Sequence, residues 1–175
     1  VTKIAWSKKG LTMSSDLKVR VAVPDDVHEV MDLAMSACDE NGFVNPNPQK
    51  LLAEIWPALH QDRGLVGVIG PQYGPIEGAV LLRVGAMWYS DAPVLEEKAI
   101  FIHPDYRAAK GGRARQLCDF SKQVADRLNI PLIIGVLSNH RTEAKVRLYT
   151  RQFGQPSGAF FLYNAHTGQH SMTEH

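Results

Sequence analysis

Nine consecutive residues, Arg107-Ala-Ala-Lys110-Gly111-Gly112-Arg113-Ala-Arg115, carry four positive charges and no negative one. At the chain average of 19 lysines and arginines in 175 residues, such a stretch would hold about one. The formal charge of +1 is therefore this +4 segment set against a remainder of −3. A chain so nearly neutral lacks the dispersed positive charge that non-specific nucleic-acid binding requires, and its charge chemistry is local. The segment lies between an apolar run ending at His103 and a strongly helical pattern, so the amides of a helix start and the basic side chains point to one place. Glycines at 111 and 112 remove the Cβ atoms that would hold an anion away from the backbone. Phosphate or pyrophosphate binding is the chemistry that suits this pattern. Neither G-x-x-x-x-G-K-[ST] nor G-x-G-x-x-G occurs, which sets aside the two common nucleotide loops.

Other reactive residue types form no constellation. Cys38 and Cys118 are eighty positions apart, fit no C-x-x-C pair and suit a reducing, cytoplasmic setting. Cys118 falls on the apolar stripe of a helix and reads as a packed thiol, and His103, beside Pro104, reads as structural. His166, His170 and His175 match no metal-ligand spacing, so no metal is expected. Arg141, Lys145, Arg147 and Arg151, interrupted by Glu143, read as a solvated helix face.

The elements that must position the basic segment follow from periodicity. Leu17 to Val23 alternates as a strand, and Asp25 or Asp26 caps a helix running to about Asn41-Gly42. A second helix opens at Asn47-Pro48 and meets Pro57 near its end. Three strands, Leu65–Ile69, Ile76–Trp88 and Leu95–His103, read as an antiparallel meander. The helix after the basic segment buries Leu117, Cys118, Ser121, Val124 and Leu128. Leu132–Leu137 reads as a parallel strand buried on both faces, Asn139 or Thr142 starts a last helix closed by Gly154, and Ala159–Tyr163 reads as a final strand. With 45% apolar and 21% charged residues, one core is expected over residues 16–165, with a loose arm at 1–15 and a polar tail at 166–175. No run of 18 apolar residues marks a membrane span.

The segment Phe101-Ile-His-Pro104-Asp-Tyr106-Arg107, continuing through Lys110-Gly111-Gly112-Arg113-Ala114, resembles the V-x-P-x-[YF]-R-x-x-G-x-G-x-[AG] signature of the GNAT N-acetyltransferase superfamily. Asn139 with Leu148-Tyr149 and Phe153-Gly154 is similar to that family's N…LYxxxGF pattern. The first glycine of the loop is Lys110 here, and its ammonium can add a charge-assisted contact to a phosphate. The resemblance implies an α+β, three-layer fold: a mixed, mostly antiparallel sheet of six to seven strands, about four helices and a splayed parallel strand pair. It implies acetyl-coenzyme A as acyl donor, contacted by Ile100, Ile102, Arg107, Ala108, Ala109, Lys110, Gly111, Gly112, Arg113 and Asn139. It also implies transfer of the acetyl group to a primary amine by direct attack.

Deprotonating an amine of pKa about 10.4 at pH 7 costs about 4.6 kcal/mol, so a base or a desolvated site is needed. Glu96 and Glu97 precede the loop on one strand and must face opposite ways. Counting back by twos from Ile102 puts Glu96 on the Ile102 face, which makes it the first candidate and Glu97 a close second. By resemblance, Tyr149 hydrogen-bonds or protonates the leaving thiolate. The acceptor amine is not legible, a homodimer is compatible with the pattern, and nucleic acid is not the expected partner. Two rival readings share the features: an acyl-coenzyme A-binding module without turnover, and a phage-associated nucleic-acid-modifying acyltransferase-like protein.

Overall fold

A computed structural model of the chain describes residues 19–107 and 111–164. The expected arm 1–15, Ala108, Ala109, Lys110 and the expected tail 166–175 lie outside the described residues. Five strands form one sheet in chain order: β1 Val19–Val21, β2 Gly64–Ile69, β3 Gly78–Ala86, β4 Pro93–Ile102 and β5 Leu132–Ile133. The first four are antiparallel and β5 joins β4 in parallel, so the sheet is mixed.

Two helices cover each face. On one side α1 (Val27–Asn41) and α2 (Pro48–Leu59) bury Val30, Leu33, Ile55 and Leu59 against Val66, Val68 and Phe101. On the other side α3 (Arg113–Leu128) buries Leu117, Phe120 and Val124 against Leu65, Val80, Leu82 and Leu95. The fourth helix, α4 (Thr142–Phe153), packs Leu148, Tyr149 and Phe153 onto that second cluster. The result is the three-layer α+β arrangement expected from the sequence. Close approach of α3 to the sheet depends on Gly67, where a Cβ would stand 2.5 Å from the Phe120 ring.

The start of α1 is fixed by an ion pair. Asp26, only 3% exposed, accepts from both terminal nitrogens of Arg20 at 2.8 Å. The Arg20 hydrogen bonds hold its carboxyl below the usual range, against the opposing effect of burial. Asn47 caps α2 through Gln49 and Lys50, as its sequence pattern suggests, and α2 runs through Pro57 to Leu59.

The sequence reading expects six to seven strands, and the described residues hold five. Pairing of β5 to β4 stops after Leu95–Leu132 and Glu96–Ile133, because the next amide, Gly135 N–H, donates to the Glu97 carboxylate instead of a β4 carbonyl. Ile133 is 39% exposed rather than buried on both faces. Without a continuing β5 edge, Ala159–Tyr163 finds no ladder, and Phe161 and Tyr163 stand 91% and 93% exposed.

Candidate active site

The decisive local feature is a bulge in β4. Leu81 pairs with Ala99 and Leu82 with Glu97, leaving Lys98 as the extra residue. Above the bulge, Ile100 and Ile102 share the face of Val80; below it, that face is taken by Glu97 and Leu95. Counting by twos from Ile102 predicted Glu96 there, and one additional residue reverses the result. Glu96 lies on the opposite face, paired with Lys98 Nζ at 2.6 Å and close to Gly85.

Glu97 stands in the wall of a cavity of about 390 Å³ bounded by the end of α1, by β4 and by residues 135–137 and 160–162. The residue is half-buried, and the surrounding protein raises its pKa to about 7. Burial is the cause; hydrogen bonds from the Gly135 and Ile100 backbone and the charge of Lys145 act the other way without cancelling it.

A second cavity, of about 280 Å³, runs from Ile100 and Ile102 past Tyr106 and Arg107 to the first turn of α3. Gly111 and Gly112 have φ of +134° and +59°, conformations that glycine adopts without the penalty other residues incur. Gly112 then caps α3, whose helical bonding begins with Gln116 N–H to Gly112 O at 2.9 Å. The first-turn residues Arg113, Ala114 and Arg115 line this cleft. Arg107 is oriented by its Nε–H bond to Ile102 O at 2.9 Å and by Glu40 at 2.6 Å, and Arg113 by Glu77 at 2.6 Å. Cations, a helix start and glycines in left-handed backbone fit a pyrophosphate group, and the strand Ile100–Ile102 beside them fits an extended arm.

The two cavities share Ile100, Phe101, Lys145 and Tyr149. Tyr149 is half-buried on α4, and burial, with Glu97 and Cys118 adding to it, raises its phenol far above the ordinary value. Sequence reasoning assigned Arg141 and Lys145 to solvent, but Arg141 lines the cleft and Lys145 lines both cavities. The signal was present: counting back from Tyr149 in fours along α4 reaches Lys145 and then Arg141. Burial lowers the Lys145 pKa, with Glu40 and Glu97 opposing. Glu40, at the end of α1, was also missed and lines the cleft.

Asn139, expected among the cofactor contacts, does not line the cleft; its side-chain nitrogen lies 3.8 Å from where a Gly42 Cβ would be, beside the end of α1. Ala108, Ala109 and Lys110 fall outside the described residues. Cys118 is fully buried, and its thiol is pushed up to about 12 by burial, which keeps it a neutral packing group. His103 accepts from the Asp105 amide at 3.3 Å and so fixes the turn at Pro104–Tyr106. Among the described residues no helix is long and apolar enough to cross a membrane.

No protein-family model matches the sequence, and no curated protein matches it. Solved structures match the fold. An aminoglycoside acetyltransferase, AAC(6')-Iy, in complex with a bisubstrate analogue superimposes with a TM-score of 0.63 at 16% identity, covering 83% of this chain and 95% of that one. An integron cassette protein from a salt-marsh metagenome gives 0.62 at 20% identity over 89% and 94% of the two chains. Ribosomal-protein-alanine N-acetyltransferase from Brucella melitensis gives 0.58 at 16% identity over 83% and 97%. The fold is that of the GNAT acetyltransferases.

Proposed function

We propose, from this GNAT fold and the junction of its two cavities, that the protein transfers an acetyl group from acetyl-coenzyme A to a primary amine. The observation that carries the reading is that Tyr149 and Lys145 stand where the cavities meet, with Glu97 in the wall of the acceptor side. Arg107, Gly111, Gly112 and Arg113 would hold the pyrophosphate, and Ile100 and Ile102 the pantetheine arm. When bound, acetyl-coenzyme A supplies the thioester carbon that an amine attacks.

The chain's own groups then have complementary proton roles. Glu97, with a pKa of about 7, is partly ionised at neutral pH and suited to accept the proton that an amine nitrogen sheds as it attacks. The neutral amine is disfavoured by about 4.6 kcal/mol at pH 7, and a base of pKa about 7 leaves that equilibrium unchanged; Glu97 acts instead on the proton that becomes acidic as the nitrogen bonds to the acyl carbon. Tyr149 stays protonated across the working range and can donate a hydrogen bond to a leaving thiolate. Ile100 and Phe101 supply the apolar lining of the junction.

Release of coenzyme A thiol on mixing the protein with acetyl-coenzyme A and a panel of amines tests the reading. Release that saturates in both components is expected. Tight binding of acetyl-coenzyme A with no amine-dependent release would establish the non-catalytic binding module instead.

A further inference from the structure

The acceptor cavity has an unusual charge inventory. Its described lining contains one carboxylate, Glu97, and two ammonium groups, Lys98 and Lys145. Lys98 is engaged by Glu96 at 2.6 Å, whereas Lys145 stands at the junction itself. If Glu97 takes up the proton of the reacting amine, the described lining has no second carboxylate for another ammonium group. A polycation would thus bring further positive charge beside Lys145, with no carboxylate in the described lining to pair it.

Apart from Asn41 and the Tyr149 hydroxyl, the remaining wall is apolar. Phe101, Phe161, Leu162, Val136 and Leu137 line the cavity. Phe161 is 91% and Leu162 51% exposed, so apolar surface faces this space unpaired. A volume of about 390 Å³ sits at the lower end of small-molecule sites and leaves room for a body beyond the amino group.

Building on the acetyl-transfer reading above, we propose that the acceptor is a monoamine carried on an apolar body, preferably aromatic, and that polyamines and aminoglycosides are poor acceptors. The aromatic body lies against Phe161 and Leu137, while its amino group reaches Glu97. In the reaction the neutral amine nitrogen forms a bond to the acyl carbon as the carbon–sulfur bond breaks. The proton shed by the nitrogen passes to Glu97, and from Glu97 through solvent to the departing thiolate, which Tyr149 meanwhile hydrogen-bonds.

The test compares kcat/KM for coenzyme A release with phenethylamine, tryptamine, butylamine, spermidine and kanamycin at saturating acetyl-coenzyme A. The aromatic monoamines should exceed spermidine and kanamycin by at least about tenfold and butylamine by a smaller factor. Two variants that touch only the acceptor cavity locate the preference. Leu137→Asp, at a site 48% exposed and tolerant of a polar residue, should narrow the aromatic-to-spermidine ratio by about tenfold. Phe161→Ala should raise KM for the aromatic amines with little change in kcat. Spermidine or kanamycin as the better acceptor would overturn the substrate class while leaving acetyl transfer intact. An aromatic preference that neither variant alters would overturn its placement in this cavity. Absence of release with every amine would remove the acetyl-transfer reading, and this proposal with it.

Discussion

Glu97 and Gly135 meet across the gap where β4 and β5 part, the Gly135 amide donating to Glu97 Oε2 at 3.4 Å. The carboxylate thus takes up an amide that a continued parallel ladder would have given to a backbone carbonyl. One side chain both ends the strand pairing and lines the cavity of about 390 Å³.

Glu97→Gln keeps that shape and removes the base. Its kcat should fall by about 10²–10⁴-fold, the usual worth of a positioned general base. Glu96→Gln, on the opposite face beside Lys98, should remain within about threefold of the parent. Wild-type kcat/KM should rise with pH through about 7 as Glu97 ionises, and the Gln variant should lack that step. Steady-state rates across pH 5.5–8.5 provide the check, in a range set by that pKa of about 7; equal losses in the two variants would exclude a special role for Glu97.

Stability should run in the opposite direction. Burial raises the Glu97 pKa from 4.5 to about 7, so between those values the folded chain keeps a proton that the unfolded chain has released. The contribution is complete below 4.5 and is lost as pH rises through about 7. Urea midpoints measured at the two ends of this window should differ more for the parent than for Glu97→Gln. A parent curve no steeper than the variant's would show that the group titrates as in solvent.

Tyr149→Phe removes a hydroxyl whose ring still packs edge-on against Phe153 at 5.8 Å. The fold and the affinity for acetyl-coenzyme A should be preserved and kcat should drop by about 10²-fold. Because burial holds the phenol far above its ordinary value, the parent should show no loss of rate from Tyr149 ionisation up to about pH 10. An unchanged kcat in the Phe variant removes Tyr149 from the mechanism.

Gly112→Ala adds a methyl group where space is open, its nearest neighbours being Arg115 side-chain atoms at 3.5 Å or more, but at a φ of +59°. Strain of about 1–2 kcal/mol in the left-handed region should shift the start of α3. The expected result is a rise of about tenfold in KM for acetyl-coenzyme A with kcat nearly unchanged. Calorimetric titration with coenzyme A separates this from a general loss of folded protein.

Helices were the most legible part of the sequence, because α3 repeats its apolar positions over sixteen residues and α1 ends at Gly42 in left-handed backbone. The gathering of basic residues and a glycine pair at the start of α3 was legible from charge density and sequence order, which are local properties. The facing of Glu96 and Glu97 was not, since period-two counting assumes that every residue advances the ladder and Lys98 does not. Nor was the fate of Ala159–Tyr163: its composition suits a strand, but a strand exists only with a partner edge, and β5 ends at Ile133. Arg141 and Lys145 were hidden by reading α4 for charge instead of for the face it shares with Tyr149.

The extra residue in β4 also bears on how the chain tolerates shortening. Loss of one residue from an ordinary strand turns every side chain beyond it to the wrong face. Deleting Lys98 would instead rejoin Glu97 and Ala99 as neighbours opposite Leu82 and Leu81, with both halves of the strand still in phase. Such a chain should fold with its core unaltered and a straighter β4, so a single codon can be removed here without turning any core residue outward.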